Sequence, residues 1–318
     1  MKLNNWMNLL RSGAIKGLTT AGTVVNSGTR IVELGEKLYQ GDLKMYEDRS
    51  DDFGRPARTW SWKNREIGTY VDYSTMLAEY TTKVTGDELY NLLTRNTVIK
   101  YDVDVVIDGE YKAPTGAHAS DWFTKNAINR NNDAGVGGTG NGVLTQVFVD
   151  NDEEVVTIAI INTYLAIANK DYDSRRDEVS FDVYGAGKTG TTYYKAISDT
   201  SLSMKVSGED FAIEDIAEGD KLLVNIADGE IQIMNASEGI SNTEIQSFET
   251  SDNQNRGGMV SMVEVDGTEY DFADAASYDL DVMEYYTGDG HTNLKDMTYN
   301  VYLDAYGYVI GIEVVEKA

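Results

Sequence analysis

The feature that most constrains this chain is a recurring grammar: short runs with apolar residues at alternate places, folded back at an aspartate or a glycine. The clearest case is Tyr299 to Glu316, YNVYLDAYGYVIGIEVVE. Val301 and Leu303 alternate with Asn300 and Tyr302, Ala305-Tyr306-Gly307 interrupts, and Val309 to Val315 resumes the alternation. Period-two patterning on both sides of a turn predicts a β-hairpin, because successive side chains of a strand point to opposite faces. Gly307 stands where the loop needs a positive φ, and Asp304 stands where a side-chain oxygen can bind the turn backbone. The grammar returns at Lys221 to Ala236 around Asp228-Gly229, and at Val143 to Thr163 around an acidic turn.

Three such hairpins, each preceded by a turn such as Asp108-Gly109, Ser207-Gly208 or Asp266-Gly267, suggest divergent modules in series. The expected fold class is mainly β, built of serial small β-sandwich or barrel-like modules with a few short helices. The expected boundaries are 1–96 for an N-terminal module, then 97–176, 177–242 and 243–318 for three β modules. A chain of 318 residues is long enough for several cores of stable size. Its 21 tyrosines and 30 glycines suit a strand-rich, turn-rich protein.

Helices are expected at three places. Leu3 to Leu18 has helical apolar spacing broken by Gly13 and Gly17. Thr85 to Thr94 carries Asp87 and Glu88 at the positive end of the helix dipole and a Leu89, Leu92, Leu93 stripe. Ala119 to Ala127 has Trp122 and Phe123 after Ser120.

Charge narrows the partners. A formal net charge of -26 opposes nucleic acid and anionic lipid, both of which repel an acidic surface. No run approaches the roughly 20 apolar residues of a membrane span. With no cysteine there is no disulfide framework, thiolate metal site or cysteine nucleophile. The first ten residues lack the continuous apolar core of an export signal.

Catalytic signals are weak. His118 lies in TGAHAS and His291 in GDGHTN, neither beside a carboxylate at metal-ligand spacing or a nucleophile elbow. The glycine-rich stretches 135–142 and 185–190 lead into strand patterns rather than helices, so they do not read as phosphate loops. No enzyme is expected. Calcium is the one cofactor considered, because alternating oxygen ligands in a turn suit a hard cation. The candidate ligands are Asp150, Asp152, Glu153 and Glu154, with a more dispersed group at Asp279, Asp281 and Asp289. The alternative for both is a solvated acidic turn. Trp60 and Trp62 alternate on one strand face, where they either cap a core or form a sugar-stacking platform; the Tyr285-Tyr286 pair is the other aromatic candidate.

Several stretches together resemble the region that follows the cell-wall-anchoring repeats in S-layer-homology (SLH) domain proteins of Gram-positive bacteria. They are DDFGRPARTWSWKNREIGTY from Asp51, YTTKVTGDELYNLL from Tyr80, TGNGVLTQVFVD with VTIAIINTYLA between Thr139 and Ala166, and the terminal YNVYLDAYGYVIGIEVVE. The resemblance covers most of the chain from about Leu38 and contains no catalytic motif. It implies an exported, extracellular, surface-exposed β-rich protein with a structural or adhesive role. The anchoring repeats and a signal peptide are not visible, so the resemblance further implies a piece of a longer product. The expected partners are other copies of the chain or surface polysaccharide. The competing function is a carbohydrate-binding module of a secreted protein using exposed aromatics.

Overall fold

The computed structural model describes residues 24–25, 31–34, 37–40, 43–112, 118–119, 138–184, 191–197, 205–206, 209–210, 213–250, 260–274 and 297–315. The architecture is mainly β, as expected, with several small sheets. The expected helix over 3–18, the helix beyond Ala119, Tyr285, Tyr286, His291 and the group at Asp279, Asp281 and Asp289 lie outside the described residues.

In chain order the first strands are β1 (Val24–Val25), β2 (Ile31–Leu34), β3 (Lys37–Gln40), β4 (Leu43–Ser50), β5 (Pro56–Trp62), β6 (Arg65–Val71) and β7 (Met76–Tyr80). After β8 (Val84–Thr85) comes helix α1 (Gly86–Arg95), within a residue of its expected bounds. It buries Leu89 and Leu93, places Asp87 and Glu88 in its first turn, and ends where Asn96 Nδ2 donates to the Leu92 carbonyl and Thr97 takes φ 64°. Then follow β9 (Asp102–Ile107), β10 (Glu110–Tyr111), β11 (Gly138–Thr139), β12 (Leu144–Asp150) and β13 (Val155–Ile161).

Packing divides the chain into two compact units. The first holds 1–79, 86–135 and 146–160; the second holds 80–85, 136–145 and 161–318. Strands of the first unit form a four-stranded sheet in the order β1-β4-β5-β6 and a five-stranded one in the order β10-β9-β13-β12-β7. β13 runs parallel to β9, Val155 facing Asp102 through Ile160 facing Ile107. Val103, Val105, Val156, Ile158 and Ile160 are all buried along this pair.

The second unit adds β14 (Tyr164–Ala168), β15 (Glu178–Tyr184), β16 (Thr191–Ile197), β17 (Lys205–Val206), β18 (Glu209–Asp210), β19 (Lys221–Ala227), β20 (Glu230–Ala236), β21 (Glu238–Thr250), β22 (Val260–Val265), β23 (Thr268–Asp271), β24 (Thr298–Leu303) and β25 (Val309–Val315). Ten of them make two five-stranded sheets, β16-β15-β14-β19-β20 and β23-β22-β21-β24-β25, and β17 pairs with β18. β14 and β19 are apolar on both faces, and the structure shows why. Ala166, Leu222 and Val224 point into one core with Phe181, Val183 and Met234. Leu165 and Leu223 point the other way, into a core with Val263, Val301, Ile310 and Ile312 of the second sheet. A strand covered on both sides carries apolar residues on both faces, so KLLVNIA and YLAIA lose the alternation seen in half-exposed strands. A polar link crosses the same boundary, Lys221 Nζ lying 3.0 Å from Glu313 Oε1, while within the second sheet Tyr302 Oη donates to Glu313 Oε2 at 2.7 Å.

Among the described residues, four hairpins close through two residues that both have positive φ: Lys63-Asn64, Asp108-Gly109, Asp228-Gly229 and Asp266-Gly267. That backbone twist matches the twist of paired strands, which is why Asp-Gly recurs at these places. Among the described residues no helix is long and apolar enough to cross a membrane.

Candidate functional site

The first unit carries a cleft of about 500 Å³, lined by Pro56 to Arg58, by Asp72, Ser74 and Thr75, and by Val149 to Asp152. Three pieces of backbone converge there: the start of β5, the short 3-10 turn Tyr73–Thr75 that follows β6, and the β12–β13 turn. They are held by main-chain and side-chain bonds. Asp72 donates its N–H to the Pro56 carbonyl at 2.8 Å, and its Oδ1 accepts from Ser74 N and Ser74 Oγ. Arg58 Nη2 meets Asp72 Oδ2 at 2.6 Å, so the one cation lining the cleft among the described residues is paired with a carboxylate that also caps the turn.

On the opposite wall, Asp150 Oδ1 accepts the N–H groups of Asp152 at 2.9 Å and Glu153 at 3.0 Å. This is the acidic turn considered for calcium. One Asp150 oxygen is thus engaged in shaping the turn, Glu154 closes it with φ 55°, and all of residues 150–154 are exposed. Among the described residues no three histidine, aspartate or glutamate side chains converge as a metal-binding group. Asn151 accepts a long bond from Tyr101 Oη at 3.4 Å. The cleft therefore presents carboxylates, an amide and hydroxyls.

The tryptophans lie elsewhere on the four-stranded sheet. Leu43 pairs with Trp62 and Met45 with Trp60, so one face of β4 and β5 gathers all four side chains, as the alternation predicts. Trp60 is 3% exposed within this cluster. Trp62 is half-buried at its margin, with Lys63 Nζ 4.1 Å from the ring centroid. A stacking platform needs an open ring face. Trp60 presents none, and the margin at Trp62 carries a lysine.

His118 extends the edge of β9, bridging Asp102, with Nδ1 2.7 Å from Asp102 Oδ1. Both side chains are more than half exposed, which makes the pair a surface contact of small energetic weight.

No known family profile matches the chain, and no curated protein is significantly similar to it. Sequence reasoning found Asp150 and Asp152 but not Arg58, Asp72, Ser74 or Thr75. The signal for the latter was the Asp72-Tyr73-Ser74-Thr75 run, in which aspartate two places before serine is a turn signature. Nothing local says that this turn meets residues 149–152.

Proposed function

We propose that this chain is a non-enzymatic, extracellular structural or adhesive protein of a cell surface. The observation that carries this reading is how the described acidic side chains are used. Asp51, Asp72, Asp150 and Asp304 each accept backbone N–H groups that hold a turn, and Glu313 links two sheets. Carboxylates committed to architecture support a load-carrying β scaffold better than a catalytic centre, where two would face each other across a substrate. The acidic surface and the resemblance of the sequence to the outward region of SLH-domain proteins support the same reading. The test is protease shaving of intact cells that produce the protein. Release of fragments from cells that keep their cytoplasmic markers is the expected result; full protection until lysis would overturn it.

The cleft favours one second reading, carbohydrate binding. Its volume falls within the ordinary range for small-molecule sites. Hydroxyl-rich ligands can donate to the acceptors of Asn151, Asp152, Ser74 and Thr75. On this reading the contact is made by polar groups of the cleft rather than by Trp60. Calorimetric titration with purified cell-wall glycans checks it: binding should be present and should be weakened at least fivefold in Asn151→Ala/Asp152→Ala. Undiminished binding by that variant would remove the cleft from consideration.

A further inference from the structure

The most unusual polar group described in the second unit is Asp304, at the head of the loop between β24 and β25. It is 4% exposed. Its Oδ1 accepts the N–H groups of Tyr306 at 2.8 Å and Tyr308 at 2.9 Å. Its Oδ2 is buried with no hydrogen-bond partner among the described residues. That oxygen lies over Gly142: a Cβ built on Gly142 would stand 2.2 Å from it and 3.2 Å from the Ala273 Cβ. Gly142 also has φ +75°, so both the space and the backbone conformation require glycine.

Four segments of chain are tied together around this contact. Gly142 donates its N–H to the Thr81 carbonyl, Asn141 Oδ1 accepts from Lys83 N, and the Asn141 carbonyl accepts from Asp274 N. Ala273 in turn donates to the Val309 carbonyl, just past the Asp304 loop. The carboxyl sits where the 138–142 segment, the 272–274 segment and the closing hairpin meet.

We propose that Asp304 is a protonation-dependent clasp: uncharged, its carboxyl holds the 138–142 segment against the closing hairpin, and charged, it loosens that junction. A buried carboxyl oxygen without a hydrogen-bond partner costs far more when it carries charge than when it is neutral. Among the described residues, the groups around it add no compensating cation. On its own loop Tyr308 is a neutral phenol, itself pushed up by burial and by the charges of Asp271 and Asp304. From the 272–274 segment the titratable neighbour is Asp274, which abuts Gly140. The 140–142 segment contributes glycine and asparagine only, and Lys83 beyond it is exposed. Burial raises the Asp304 carboxyl above 3.8, against the lowering effect of the Tyr308, Tyr306 and Gly307 amides. With the folded value raised, the stabilising contribution is complete below 3.8 and is lost as pH rises through the folded value.

The experiment compares urea unfolding of the full chain and Asp304→Asn from pH 4 to pH 8. The other acidic residues titrate in both proteins, so the difference between them isolates Asp304. The wild-type midpoint should fall relative to the variant as pH rises, and a constant difference would overturn the proposal. Should the variant fail to fold, carboxyl 13C shifts of the wild type decide. An Asp304 midpoint above 3.8, with the Gly142, Tyr306 and Tyr308 amide shifts following it, is the expected result. A midpoint at or below 3.8 would overturn it.

Discussion

Between Ser50 and Pro56 the chain turns through Asp51-Asp52-Phe53-Gly54-Arg55, and between Leu303 and Val309 it turns through Asp304-Ala305-Tyr306-Gly307-Tyr308. One loop belongs to the first unit and the other to the second. Their backbones solve the turn in the same way. In each, the aspartate Oδ1 accepts from the residues two and four places on: Phe53 and Arg55 at 3.1 and 2.9 Å, Tyr306 and Tyr308 at 2.8 and 2.9 Å. In each, the aspartate N–H reaches the carbonyl of the fifth residue and the glycine N–H reaches the aspartate carbonyl. Gly54 has φ 74° and Gly307 has φ 87°.

The carboxylates then part company. Arg55 places Nε 2.7 Å and Nη2 2.6 Å from Asp51 Oδ2, and its Nη1 donates to Gln146 Oε1. Tyr308 offers Asp304 no cation, and Gly142 lies against the second oxygen. Aspartate, an aromatic and glycine at fixed offsets set the loop. The fifth residue, together with whatever distant segment covers the loop, sets the state of the acid.

The largest break in this comparison should come from removing the charge. Asp51→Asn deletes an ion pair in which two guanidinium nitrogens share Oδ2 and whose two side chains are each 12% exposed, leaving Arg55 with a poorer partner. The expected loss at pH 7 is about 2–3 kcal/mol, the range for charge-assisted bonds in a mostly buried setting. Asp304→Asn removes a charge that has no counter-ion among the described residues, and its effect at pH 7 should lie within about 0.5 kcal/mol of zero or be stabilising. Denaturant unfolding of both variants measures this. Equal losses would mean that the fifth residue does not matter.

A smaller contrast is built into the glycines. A Cβ at Gly54 would meet the Val106 methyls at 2.7 and 2.8 Å, whereas one at Gly307 meets nothing within 4 Å. Gly54→Ala should therefore lose about 2–3 kcal/mol, backbone strain plus overpacking, and Gly307→Ala only about 1 kcal/mol for the positive φ. Thermal unfolding of the pair separates the two contributions. Matching shifts would show that the backbone alone decides.

How far the sequence led follows the range of the interactions involved. Hairpins were legible, because a two-residue turn and the alternation on either side lie within about a dozen residues: 221–227 with 230–236, 298–303 with 309–315, and 144–150 with 155–161 all stand where the pattern puts them. Helix α1 was legible for the same reason. The parallel pairing of β13 with β9 was not, since nothing in VVTIAII names DVDVVI as its neighbour. Nor was the two-faced burial of β14 and β19, where lost alternation is compatible with several architectures. In the cleft, Asp150 and Asp152 stood out as an acidic turn. Their meeting with Arg58 and Asp72 depends on pairings across about eighty residues. The two aspartate loops were each recognisable as turns. What distinguishes them, an arginine in one and a contact from Gly142 in the other, is half local and half beyond the reach of any window.

The smallest effect, and the sharpest test of the comparison, is to give the second loop the fifth residue of the first. Tyr308→Arg places a guanidinium where Arg55 stands in the matching loop, within reach of Asp304 by the same backbone geometry. A paired carboxylate has its folded pKa lowered, so its stabilising contribution is present above the unfolded value and disappears on acidification. The wild-type residue behaves in the opposite sense, its raised value making it most favourable in acid. The difference in unfolding free energy, variant minus wild type, should therefore grow from near zero at pH 4 to about 1 kcal/mol in favour of the variant at pH 8. A difference that stays flat across that range would mean that Gly142 and its neighbours hold Asp304 Oδ2 out of any cation's reach. The covering segment, not the fifth residue, would then govern the acid.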